Sequence, residues 1–112
     1  MNEICGPDQS GKTTLLTAIA AACVASGKSP LLICQNEASA DWFKRFRDPC
    51  GLLVANGLRV TSALRFSHFV RIGAAPDIIL IDGARSCGSD IVNEVTEYLE
   101  LRHRTTQVVV VR

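Results

Sequence analysis

Apolar and polar positions along the chain follow two rhythms. PLLIC (30–34), DIILID (77–82) and QVVVV (107–111) are compact apolar runs of strand length, suited to strands buried on both faces. NEIC (2–5) is a shorter stretch of the same kind, and GLLVANG (51–57) reads as a further short strand. Between them, apolar residues return every three or four positions. From Lys12 to Ser26, Leu15, Leu16, Ile19, Ala20 and Cys23 recur at helical spacing and Gly27 supplies a stop. Ala38 to Arg47 reads as a second helix, ended by DPCG. Ser62 is placed to cap a third, with Ala63, Phe66, Phe69, Val70 and Gly73 on one face. Ser89 or Asp90 opens a fourth, with Ile91, Val92, Val95 and Leu99 facing inward. Parallel neighbours need long crossover connections, so strands separated by helices imply a parallel sheet covered on both faces. The expected architecture is a three-layer α/β sandwich with a mostly parallel sheet of four to five strands. It forms one domain over 1–112.

Composition narrows this picture without redirecting it. With 47% hydrophobic and 21% charged residues the chain has the profile of a soluble globular protein. A net charge of +1 gives no bulk attraction to nucleic acid or to an anionic membrane, so such contacts would have to come from a local patch. No apolar run approaches the ~20 residues of a membrane span, and no basic-then-apolar leader opens the chain. The five cysteines (5, 23, 34, 50 and 87) are odd in number, form no CxxC pair and lie far from His68 and His103 in sequence. That pattern speaks against a disulfide framework or a zinc site. Cys5, Cys23 and Cys34 read as small buried hydrophobes, and reduced thiols place the protein in the cytoplasm.

Between the first strand and the first helix runs GPDQSGKTT (6–14), which satisfies G-x-x-x-x-G-K-[ST]. Gly6 and Gly11 allow close backbone approach, and in the stretch Pro7-Asp8-Gln9-Ser10 the N–H groups of the last three, with those of the following helix end, surround the anion. Proline itself contributes no N–H. Lys12 would set its charge at the β- and γ-phosphates, Thr13 would offer a hydroxyl to Mg²⁺, and Thr14 completes the binding stretch. DIILID delivers Asp82 at the end of a buried strand, where a carboxylate holds the metal of a bound Mg-ATP. Hydrolysis also needs a group to orient or deprotonate water. Gly83 follows Asp82, so an acidic pair is absent there, and the remaining candidate is Glu37 in CQNEAS. All strands of a parallel sheet deliver their carboxyl ends to one rim, which brings Glu37 to the γ-phosphate side. Its other reading is a solvated first-turn carboxylate. Arg85 lies three residues past Asp82 and could stabilise charge in phosphoryl transfer, or be a solvated loop arginine. Ser10 and Ser86 are further donors by location.

ICGPDQSGKTTLLTAIAAACVASGKSPLLICQNEAS resembles the nucleotide-binding core of the RecA-like recombinases, and APDIILIDGARS is similar to the family's second acidic strand. The resemblance implies an ATP-binding P-loop core, with Glu37 at the family's catalytic glutamate and Asp82 at its metal position. It begins at the first strand and stops short of the family's DNA-binding parts, so it implies a minimal ATPase and not a recombinase. It also implies a strand order with 107–111 between 2–5 and 77–82, and 30–35 outside 77–82. Strand 2–5 would then be a sheet edge, open to a homo-oligomer or to a protein partner completing the sheet. Recombination, replication or packaging of nucleic acid is the family's usual setting. Two other functions stay open: a non-hydrolysing nucleotide-binding module that regulates a partner, and a small P-loop transferase.

DWFKRFRDP (41–49) interleaves Trp42, Phe43 and Phe46 with Lys44, Arg45 and Arg47, a composition that could grip single-stranded nucleic acid. The simpler reading puts the three aromatics on the inward face of a helix and the cations on its wet face. Arg102, His103 and Arg104 suit a helix carboxyl end, and His68 suits a packed position beside Leu64 and Ile72.

Overall fold

The computed structural model describes residues 2–4, 12–66, 76–83, 91–102 and 106–111, the side chains of 2–4, 12, 13, 101 and 102 excepted. In chain order the elements are β1 (Asn2–Ile4), α1 (Lys12–Ala25), β2 (Pro30–Cys34), α2 (Glu37–Phe46), α3 (Leu52–Ala55), β3 (Arg59–Ser62), β4 (Ile78–Ile81), α4 (Ile91–Arg102) and β5 (Gln107–Val111). A 3-10 turn, Ala63–Arg65, follows β3.

The strands form one sheet in the order β1-β5-β4-β2-β3, with every neighbouring pair parallel. The expected order is therefore present: 107–111 separates β1 from β4, and β2 lies outside β4. Alternate residues feed two cores. Leu32, Cys34, Ile78, Leu80, Val109 and Val111 point to one face, where Leu16 and Ala20 of α1 and Ala40 and Phe43 of α2 cover them. Leu31, Ile33, Ile79, Ile81, Val108 and Val110 point to the other, against Ile91 and Val95 of α4 and Phe66. Burial on both faces is what makes these strands read as unbroken apolar runs and not as alternating ones.

Helix α1 ends as the sequence indicates. Gly27 takes φ 75°, Lys28 N–H donates to the Cys23 carbonyl at 2.9 Å and Gly27 N–H to that of Val24 at 3.1 Å. This is the paired-bond helix stop that favours glycine. Leu15, expected on the helix's apolar spacing, is exposed, and the buried stripe runs through Leu16 and Ala20.

Two readings change. GLLVANG contains helix α3 and no strand, because the Asp48 carboxylate accepts from the N–H groups of Leu53 (3.0 Å) and Val54 (3.2 Å) and so caps a helical turn. The strand comes next, at RVTS (59–62), where Thr61 and Ser62 are buried although polar. In α2 only Phe43 of the three aromatics faces inward, 2% exposed; Trp42 is 46% and Phe46 61% exposed. Ser62 precedes the 3-10 turn without capping it through its hydroxyl. The rest of the helix expected after it, with His68, Phe69, Val70, Ile72 and Gly73, lies outside the described residues, as do Ser89 and Asp90.

Candidate functional site

All five strands run the same way, so their carboxyl ends share one rim. Ile4 pairs with Val111 of β5, and Ile81 pairs with Val110 on that strand's other side. The ends of β1 and β4 are therefore two strand spacings apart, about 10 Å. The glycine loop follows β1 in sequence, and α1 begins at Lys12, where the motif calls for a helix. Gly6, Pro7, Asp8, Gln9, Ser10 and Gly11, the side chains of Lys12 and Thr13, and Arg85 and Ser86 lie outside the described residues.

Asp82 stands where the sequence puts it. Its N–H donates to the Ile33 carbonyl at 2.9 Å, which carries the β2–β4 ladder one residue past the strand and fixes the backbone from which the carboxylate projects. The residue is partly buried and lines a cavity of about 450 Å³ on this rim. Gln35, Asn36, Ser39 and Gly83 line it beside Asp82, with Ala38, Trp42 and Phe43 as its apolar wall.

Glu37 goes elsewhere. It opens α2 and forms an ion pair with Arg65, from the turn after β3, with both side chains more than half exposed. It is not among the residues lining the cavity. The backbone of Glu37 thus opens α2 just past β2, while its carboxylate is engaged toward the β3 edge and Asp82 lines the cavity.

Two residues near the site are not among those the motifs indicate. Gln35 is the first residue beyond β2, and its Nε2 donates to Ser39 Oγ at 3.0 Å. Ser39 N–H in turn donates to Asn36 Oδ1 at 2.8 Å, the N-cap of α2. Its place one residue past a strand end, on the rim shared with Asp82, is the signal for it in the sequence. Arg47 is the second. Expected on the wet face of α2, it instead has its guanidinium 5.4 Å from the Trp42 ring centre and donates to Thr14 Oγ1 at 3.2 Å. A cation thereby reaches the first turn of α1 from the far end of α2.

Among the described residues no group of three or more His, Cys, Asp or Glu side chains is clustered to hold a metal. Mg²⁺ in phosphate sites takes one or two protein oxygens and fills its remaining positions with phosphate and water. A single rim carboxylate such as Asp82 fits that requirement. No helix among the described residues is long and apolar enough to cross a membrane.

The chain matches no known family model and no curated protein. Its fold is similar to that of the large terminase ATPase domain of Thermus phage P74-26, with a TM-score of 0.68 over 98% of this chain at 17% identity. The chain spans 57% of that domain's length. The likeness is one of fold: an α/β P-loop ATPase-like core.

Proposed function

We propose that this chain binds magnesium ATP on the carboxyl rim of its sheet and hydrolyses it. The observation that carries the reading is the placement of Asp82 on the rim shared with the end of β1, one strand removed, while α1 starts at the lysine of the phosphate-loop motif. Gly6 to Thr14 would wrap the phosphates, Lys12 would neutralise the β- and γ-phosphates, and Thr13 and Asp82 would hold the cation. The cation, when bound, would offset charge on the phosphate oxygens. The terminase domain, an ATPase of related fold, supports the ATPase reading and, among the processes expected from the sequence, favours packaging. Strand β1 is an edge of the described sheet and would be the place for a second copy or a partner protein to pair.

The engagement of Glu37 with Arg65 favours one alternative, a module that holds nucleotide without turning it over. Binding and turnover are therefore tested separately. Trp42 is the only tryptophan and lines the rim cavity, so it can donate excitation energy to a methylanthraniloyl-labelled ATP. Saturable transfer in magnesium is expected, lost in Lys12→Ala and weakened in Asp82→Asn or without magnesium. A folded wild-type protein that gives no transfer and no competition by unlabelled ATP contradicts the proposal. Phosphate release then distinguishes hydrolysis from holding.

A further inference from the structure

We infer that Gln35, and not Glu37, is the residue that orients the attacking water, an inference resting on the nucleotide-binding reading above. Three observations converge on its side chain. First, Gln35 and Asp82 line the same cavity from adjacent strand ends, whereas Glu37 does not line it and pairs with Arg65 at the surface. Second, the amide has a defined orientation. Its Nε2 donates to Ser39 Oγ at 3.0 Å, and its Oε1 is turned toward Gly83. Third, that oxygen leans over the residue after Asp82: a β-carbon on Gly83 would stand 3.1 Å from Oε1, and there is none. The glycine after the metal-site aspartate, which removes the acidic pair, therefore makes room for a neutral acceptor from the next strand.

The chemistry suits an amide. A side-chain amide does not deprotonate water; it accepts one hydrogen bond and fixes the oxygen's lone pair toward phosphorus, as a glutamine does in some P-loop hydrolases. The water oxygen bonds to the γ-phosphorus while the bond from that phosphorus to the β–γ bridging oxygen breaks. ADP leaves with the electron pair, and the proton passes to a phosphate oxygen or solvent. Ser39 is a positioning residue in this scheme, acting only through the amide.

The experiment measures three quantities on the full chain: affinity for magnesium ADP, affinity for ADP with aluminium fluoride, and ATP turnover. Aluminium fluoride mimics the planar phosphoryl group with water in line, so it reports the water-orienting contact without catalysis. Gln35→Ala is expected to leave ADP affinity within about twofold while lowering turnover and the aluminium fluoride preference on the order of a hundredfold, the cost of a misplaced reactant. Gln35→Glu keeps the acceptor oxygen and is expected to restore turnover in part, now with a carboxylate inflection in the pH profile that the wild type lacks. Loss of turnover in Glu37→Gln with Gln35→Ala unaffected overturns the inference, as does wild-type protein that binds ATP and never hydrolyses it. Absence of ADP and ATP binding altogether is a different failure, that of the nucleotide-binding reading itself.

Discussion

Gly83 and Gln35 meet across the ends of β4 and β2: Gly83 has φ 65°, and a β-carbon there would lie 3.1 Å from Gln35 Oε1. Both the left-handed backbone and the close oxygen select glycine. Gly83→Ala should cost about 1–2 kcal/mol from the backbone alone. Melting should fall by roughly 4–8 °C for each kcal/mol lost. In a Gln35→Ala background the steric part disappears, so Gly83→Ala should cost less there. Equal costs in both backgrounds, measured by urea unfolding, would show that the two side groups do not couple.

The Glu37–Arg65 pair spans α2 and the turn after β3 with both side chains largely in water. An exposed pair of this kind contributes at most about 1 kcal/mol and is screened by salt. Glu37→Gln and Arg65→Gln should each shift unfolding by less than that, with the difference from wild type shrinking in high salt. A larger, salt-insensitive loss in urea unfolding would mean that the pair has a structural role beyond its surface geometry.

Helix α2 separates its two phenylalanines sharply. Phe43 is buried in the same core cluster as Leu32 and Leu80, so Phe43→Ala should cost about 3–5 kcal/mol. Phe46, 61% exposed and 5.6 Å from the Trp42 ring centre, should cost within about 0.5 kcal/mol on truncation. Chemical denaturation of the two variants checks the assignment of the inward face.

Asp48 is buried and its two carboxylate oxygens accept from Leu53 and Val54 N–H. Asp48→Ala leaves both donors without that partner and should cost about 1–3 kcal/mol. Asp48→Asn, which keeps one acceptor oxygen, should cost less. Hydrogen exchange at Leu53 and Val54 should accelerate in Asp48→Ala while exchange in β4 follows only the global loss.

These features differ in how far the residues alone reveal them. The central strands were legible because PLLIC, IILI and VVVV are buried on both faces, and that condition writes an unbroken apolar run. Asp82 was legible for the same reason: it is the first polar residue after such a run. Strand β3 was not, since Thr61 and Ser62 are buried with polar side chains, and α3 was not, since its cap is the side chain of Asp48, four residues ahead. The face of α2 needed tertiary context: Trp42, Phe43 and Phe46 are alike in hydrophobicity, and only contact with the sheet distinguishes Phe43. Glu37 was legible as a residue on the rim but not in its direction, because its ion-pair partner, Arg65, is 28 positions away and brought close only by the β2–β3 pairing.

Magnesium ATP is proposed to bind on the rim that carries Asp82 and the end of β1. Isothermal titration of the folded wild-type chain with magnesium ATP tests it most directly. One saturable site is expected, abolished in a Lys12→Ala protein whose circular dichroism is unchanged. No binding heat at any temperature tried, from wild-type protein that melts cooperatively, would contradict it.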